Sequence, residues 1–304
     1  MSSTDEAAGP VLQLPPAAEH LPELARRLSI RTVYVDLDGT LLGPGGSLIA
    51  GPDGPVTDPV RAVVALARAG IDLVLSSGRT ADTMREVARL VGARACIAEL
   101  GGLIVYREAG TERLVRNFGA FAGPGTPYLA IERSGAAGFL LDEFAGRLEP
   151  HAPWAYLPRE ASMLFRGRVD EAEAVRSLDA AGYGWLDLRD NGIIPGGRRR
   201  FPHLDQDEVH AYHLVPAGVN KRSAVARDRA ERGMAADACI AIGDSPTDLD
   251  VAPEVAAVFV VANGAPSVAG RDVANAYLLD RPWGLGFADA VSAFVGGRPD
   301  TDNG

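Results

Sequence analysis

Five residues in this chain have types and positions suited to phosphoryl transfer. Four are aspartates. Asp36 and Asp38 follow the apolar run Val33-Tyr34-Val35 and precede Gly39-Thr40, while Asp244 and Asp248 follow Ile240-Ala241-Ile242-Gly243. The fifth is Lys221. Among the 30 basic residues of the sequence it is the single lysine, every other being arginine. An ammonium is a compact point charge on a flexible stem and a guanidinium a planar fork, so a lysine kept at one place suits gripping a small anion in tight quarters. Carboxylates gathered at the ends of apolar runs call for a hard divalent cation with oxygen ligands, and with a phosphate-bearing substrate the expected cation is Mg²⁺.

The elements that must hold these residues alternate. Arg31–Asp36 reads as a buried strand. Asp58 then caps a helix opened by Pro59. Ile71–Leu75 is the next strand, Thr80–Leu90 a helix, and Ala95–Ala98 and Leu103–Tyr106 two more strands. Such alternation predicts a parallel sheet with helices on both faces, carrying its reactive groups at the carboxyl ends of the strands. Between about Arg107 and Pro216 the rhythm changes to short strand-like pieces, two helical stretches and Pro/Gly-rich joints such as Gly123-Pro124-Gly125 and Pro195-Gly196-Gly197. The first rhythm returns with a helix at Asn220–Arg232, strands at Cys239–Ile242 and Val258–Val261, and a helix after Trp283. The expected organisation is a mobile N-terminal segment over 1–29, a Rossmann-like α/β core over 30–106 and 217–296, an inserted α+β domain over 107–216, and a flexible tail over 297–304.

Bulk properties restrict the function classes. A net charge of −10 offers no basic face to displace counterions from nucleic acid. No apolar stretch reaches the length of a membrane helix and no secretory leader is visible, so a cytoplasmic protein is expected. Cys96 and Cys239 both sit in apolar runs and read as small buried hydrophobes without a disulfide.

The residues also carry a resemblance. Asp36-Leu37-Asp38-Gly39-Thr40, Ser77-Gly78-Arg79, Gly218-Val219-Asn220-Lys221 and Gly243-Asp244 with Asp248 match, in order, the four motifs of haloacid-dehalogenase-superfamily phosphatases with a large cap inserted between motifs two and three. The resemblance is to the branch of mannosyl-3-phosphoglycerate and sucrose-phosphate phosphatases. It implies Asp36 as nucleophile, forming an aspartyl-phosphate, and Asp38 as the acid and base that serves the leaving alcohol and then water. Ser77, Gly78 and Lys221 would bind phosphate. Asp36, the Asp38 main-chain carbonyl, Asp244 and Asp248 would surround Mg²⁺, Asp248 directly or through an intermediary.

Three departures mark this chain. Arg222 follows the third-motif lysine where glycine is usual, Leu100 stands in Glu99-Leu100-Gly101 where asparagine is usual, and Thr247 replaces an asparagine. Substrate contacts are expected from Arg79 and from the cap, where Arg198, Arg199 and Arg200, with Asp190, Asn191, His203 and His210, are the polar candidates. The implied activity is hydrolysis of a phosphorylated sugar or glycosyl-phosphoglycerate. The alternatives are a phosphosugar mutase, which would keep the phosphoryl group from water, and a non-catalytic sugar-phosphate-binding protein.

Overall fold

The computed structural model describes residues 13–108, 111–194 and 196–296. Helix α1 (Ala17–Arg27) leads into strand β1 (Thr32–Asp36), which is buried along its whole length. A small hairpin, β2 (Ala50–Gly51) and β3 (Gly54–Pro55), precedes helix α2 (Asp58–Arg68), strand β4 (Asp72–Ser76), helix α3 (Ala81–Val91) and strands β5 (Ala95–Ala98), β6 (Leu103–Glu108) and β7 (Thr111–Arg116). The insert follows as helices α4 (Pro127–Ser134) and α5 (Ala136–Glu143), strands β8 (Leu148–Pro150) and β9 (Met163–Gly167), helix α6 (Glu171–Ala180), strand β10 (Leu186–Ile194), the single turn α7 (Gly197–Arg200) and strand β11 (Val209–Pro216). Helix α8 (Lys221–Arg232), strand β12 (Cys239–Gly243), the short helix α9 (Pro246–Leu249), strands β13 (Ala257–Val260) and β14 (Ala276–Leu278) and helix α10 (Trp283–Val295) complete the core.

The core sheet has eight strands in the order β14-β13-β12-β1-β4-β5-β6-β7. β1 pairs in parallel with β12 on one side and β4 on the other. The chain therefore leaves β1 in opposite directions for its two neighbours, and β1 ends at the point where strand order reverses. Side chains alternate across the strand: Val33 and Val35 join one apolar cluster, and Tyr34 joins the cluster on the opposite face. Burial on both faces is what selects near-continuous apolar runs for such strands.

Four details depart from the sequence-based expectations. The sheet is not wholly parallel, because β5–β6 and β6–β7 pair antiparallel. The link between β5 and β6 is one short turn, which suffices for a hairpin but not for a crossover. β7 also belongs to this sheet, so the insert departs after Arg116 and not at 107. At α2 the N-cap is Thr57 and Asp58 occupies the first turn, where its charge complements the helix dipole without capping. Finally, α1 is tied to the core: Ala17 and Leu24 are buried in its apolar cluster and Leu278 donates a main-chain hydrogen bond to Pro15. An amphipathic helix with a face to bury docks where a polar leader would not. Residues 1–12 and the tail at 297–304 lie outside the described residues.

The insert is an α+β unit with its own four-stranded antiparallel sheet, ordered β10-β11-β9-β8. Ile131, Leu140, Phe144, Leu178, Leu188 and Leu214 lie in its separate apolar core. Among the described residues no helix is long and apolar enough to cross a membrane.

Candidate active site

The carboxyl ends of β1, β4 and β12 bring three of the four motifs together, and the start of α8 supplies the remaining one. Asn220 caps α8 by accepting from the Ser223 amide, while Ser223 Oγ accepts from the Asn220 amide. This reciprocal cap fixes Lys221 as the first helical residue. Its ammonium is 2% exposed and donates to Asp36 Oδ1 at 2.6 Å and to Asp248 Oδ1 at 2.7 Å. Burial alone would discharge it, but the Asp248 and Asp36 carboxylates outweigh burial and hold its pKa well above the ordinary lysine value. Burial pushes the Asp36 carboxyl well above the usual carboxylate range, with Lys221 opposing and Asp248 and Asp244 adding to the rise. Asp244 is pushed up to about 7 by burial first and by the neighbouring Asp248 charge second.

Asp36, Asp244 and Asp248 each offer an oxygen within 4.8 Å of the others. Hard carboxylate donors gathered this closely, with the proton affinity of Asp36 and Asp244 raised by burial and by neighbouring carboxylate charge, form a donor set that a divalent cation fits. The three differ in their existing partners. Asp248 Oδ2 accepts from the amides of Asp244 and Ser245 and from Ser245 Oγ at 2.6 Å, and its other oxygen accepts from Lys221. Asp248 is thus largely satisfied and braces the turn. Among the described residues, the Asp244 carboxylate accepts only a long bond from Thr40 Oγ1, at 3.3 Å. It lies against Gly39, whose φ of 87° and lack of a Cβ let the β1 turn pass beside the carboxylate.

Asp38 is exposed to solvent. Its half-exposed carboxylate is held in a fork by Arg79, with Nε donating to Oδ2 at 2.7 Å and the second guanidinium nitrogen to Oδ1 at 2.5 Å. Bidentate pairing of this kind fixes orientation as well as charge. Arg79, expected at the substrate, is engaged with the Asp38 side chain and lines the same cavity as Asp38. Ser77 is buried at the end of β4, with Oγ accepting from the Arg79 amide.

A cavity of about 460 Å³ opens over Asp38, Ser77 and Gly78 and is closed from the insert side by Arg159, His213, Asn191 and Arg200. The fit is close: a Cβ on Gly78 would lie 2.6 Å from Asn191 Nδ2 and from His213 Nε2. Arg159 donates to the Gly78 carbonyl at 3.2 Å and to Ser162 Oγ at 3.1 Å. Burial lowers the His213 pKa well below the ordinary histidine value, with the Arg159 charge adding to the effect.

Of the remaining cap candidates, Arg200 and Asn191 line the cavity, whereas Arg198 pairs with Asp205 at 2.9 Å on the surface. His210 is taken up by Asp190 and Glu208, and His203 is exposed. Arg222 points away to Glu254, and Leu100 is fully buried at φ 58°. Sequence reading did not single out Arg159 or His213. Arg159 lies in an irregular loop without a motif, and His213 is one polar residue in a strand pattern, so neither carried a signal.

No protein-family model matches the chain. It is 29% identical over 268 residues to the phosphoglycolate phosphatase of Methanoculleus marisnigri, covering 87% of this chain and 97% of that one. The sucrose-phosphatase of Synechocystis sp. PCC6803, solved with sucrose and phosphate, superposes with a TM-score of 0.59 at 17% identity, over 88% of this chain and 98% of that one. A phosphatase of the haloalkanoate (HAD) superfamily from Bacteroides thetaiotaomicron gives 0.58 at 16%, over 87% and 95%. With its phosphatase relatives and this shared fold, the chain is a phosphoric monoester hydrolase of the capped α/β type. Its fold is the one shared with that haloalkanoate (HAD) superfamily phosphatase.

Proposed function

We propose that this enzyme is a Mg²⁺-dependent phosphatase working through an aspartyl-phosphate on Asp36, and that its substrate is a small phosphate monoester bearing a second anionic group. The observation that carries the chemistry is Asp36 at the strand-order reversal, bonded to Lys221 and within reach of Asp244 and Asp248. Asp36 and Asp244 would hold the metal with the Asp38 carbonyl, Asp248 bracing them; when bound, the ion neutralises phosphate charge. Asp36 Oδ1 accepts from Lys221, which leaves Oδ2 to attack phosphorus. The phosphorus–oxygen bond to the alcohol breaks as the bond to Asp36 forms, and Asp38 donates a proton to the leaving oxygen. Asp38 then removes a proton from water, which attacks phosphorus and releases Asp36 and inorganic phosphate. Ser77 and Lys221 bind the phosphoryl oxygens throughout, so charge is met by groups already in place.

The substrate class follows from Arg159. Its guanidinium is bonded to the Gly78 carbonyl, beside the phosphate-binding serine, so a group meeting both spans only a few bonds. A carboxylate close to the phosphate, as in 2-phosphoglycolate, has that length, and the relatives of this chain are named phosphoglycolate phosphatases. A sugar phosphate is the second reading. It is favoured by Trp154, Leu157 and Ile193, apolar residues at the cavity lining that are 52%, 37% and 54% exposed and that a two-carbon acid would leave uncovered.

The test is phosphate release from 2-phosphoglycolate, 3-phosphoglycerate, sugar phosphates and glycosyl-phosphoglycerates, with Mg²⁺ and with EDTA. Metal-dependent release greatest on the short acids supports the first reading, and greatest on sugar phosphates the second. Interconversion of sugar phosphates with a bisphosphate activator and no phosphate release would sink both in favour of a mutase.

A further inference from the structure

Resting on the carboxylated substrate proposed above, we propose that Glu99 is a positioning residue for substrate selection: from the core, it fixes the cap loop that carries Arg159 at the phosphate-binding turn. Glu99 follows β5, is 1% exposed, and adopts φ 51°, a conformation non-glycine residues hold only when their surroundings determine it. Its side chain leaves the core and enters the insert. One oxygen accepts from the Glu160 amide at 3.0 Å. The other accepts from the Ala161 amide at 2.9 Å, the Ser162 amide at 3.0 Å and Ser162 Oγ at 3.2 Å. A carboxylate receiving amides from successive residues fixes the backbone path of that loop, since each bond is charge-assisted and all but the part-buried Glu160 bond are buried.

The main chain of the same turn holds the other half of the site. The Glu99 amide donates to the Arg79 carbonyl at 2.9 Å and the Leu100 amide to the Ser77 carbonyl at 3.2 Å. The turn therefore joins the second-motif loop to residues 160–162 of the insert. Ser162 Oγ also accepts from Arg159 and lies 3.2 Å from His213 Nδ1, so the two cap residues over Gly78 converge on the hydroxyl that Glu99 holds. Arg159 itself is next in the chain to Glu160. It projects from an irregular loop whose β9 neighbour begins only at Met163, and it is the core carboxylate, beyond the cap's own sheet, that sets its place.

The experiment compares wild type, Glu99→Ala, Glu99→Gln, Arg159→Met and the double variant Glu99→Ala/Arg159→Met on 2-phosphoglycolate and on para-nitrophenyl phosphate, which has no carboxylate. Glu99→Ala is expected to raise KM for 2-phosphoglycolate about tenfold, equivalent to about 1.4 kcal/mol. Its kcat/KM for para-nitrophenyl phosphate should stay within roughly a factor of two, as for a lost contact the second substrate never used. Glu99→Gln, which keeps one acceptor oxygen, should fall between, and it decides the matter if the alanine variant does not fold. In the Arg159→Met background, Glu99→Ala should add nothing to the KM for 2-phosphoglycolate, because residues acting through one another are not additive. Amide exchange at 160–162 should quicken in Glu99→Ala while β1 stays protected. Equal losses on both substrates, or additive effects in the double variant, would overturn the proposal. Wild type active on para-nitrophenyl phosphate but silent on 2-phosphoglycolate would instead overturn the substrate reading, and amide exchange would still decide whether Glu99 fixes the loop.

Discussion

Replacing Lys221 by methionine keeps the stem and removes the charge. In the native protein that charge lies between Asp36 and Asp248, at 2.6 and 2.7 Å, and all three side chains are under a tenth exposed. Removing one partner of a buried ion pair leaves an uncompensated charge and costs on the order of 3–5 kcal/mol. At about 2–4 °C per kcal/mol for a chain of this size class, the metal-free variant should melt roughly 6–20 °C lower at neutral pH. The sign with pH is also fixed. Burial already raises the Asp36 carboxyl in the native state, and Lys221 is the group that opposes the rise. Without it, the folded-state value climbs further above the unfolded one. Stability from such a group is fully present below the unfolded pKa and is lost as pH rises through the folded one. The deficit of Lys221→Met relative to wild type should therefore be small near pH 4 and grow toward pH 8. Thermal melts in EDTA across that interval measure it, with phosphate release alongside. A deficit independent of pH, or a variant that keeps its melting temperature and its turnover, would refute the argument that one ammonium neutralises both carboxylates.

Other perturbations separate chemistry from cap placement. Asp36→Asn should abolish turnover on every substrate while circular dichroism and melting show an intact fold; measurable steady-state turnover would remove Asp36 as nucleophile. Arg79→Gln frees the Asp38 carboxylate from its fork and should lower kcat by roughly tenfold to a hundredfold, part of the range assigned to positioned acid–base groups, with KM changing less. Gly78→Ala places a Cβ 2.6 Å from Asn191 and His213, and it should reduce kcat/KM without a comparable fall in melting temperature, since the core is not overpacked. Burial, together with the Arg166, Arg200 and Arg159 charges, lowers His151 to about 4, and burial lowers His213 as well. Groups depressed in the folded state contribute stability above the unfolded value of about 6.5 and lose it as pH falls toward 4. Melting temperature should therefore decline over that interval, and less steeply in His213→Gln.

How far the sequence could be read depended on the range of the interaction. β1, β4 and β12 announce themselves as apolar runs because both faces of the sheet are covered, and the aspartates at their ends stand out because a polar residue closing such a run has few structural reasons to be there. Lys221 was visible for a different reason, its uniqueness among arginines. What stayed hidden was set by pairing over distance. The antiparallel β6 and β7 look locally like any edge strands, and the docking of α1 depends on which surface α10 leaves for it. In the cap the problem is sharper. Arg198, Arg199 and Arg200 form a conspicuous cluster, yet Arg198 spends its charge on Asp205 and Arg200 reaches the cavity.

Arg159 is unremarkable in sequence and Glu99 was noted only through its neighbour Leu100, because their roles arise from contacts across about sixty residues of chain. This division has a physical basis. The groups that meet the phosphate need fixed positions whatever alcohol is attached, and strand ends and a capped helix start supply them locally. The group that selects the alcohol must sit opposite those fixed points, on a separate unit, so it can be held only by contacts between units. A chain of this architecture should therefore change substrate through cap-loop residues and their core anchors while the four aspartates and the lysine stay in place. Exchanging the loop Arg159–Ser162 alone, with Glu99 retained, is the economical test: the substrate order should change and dependence on Asp36 should not. An unchanged substrate order would mean that selection resides elsewhere in the cap.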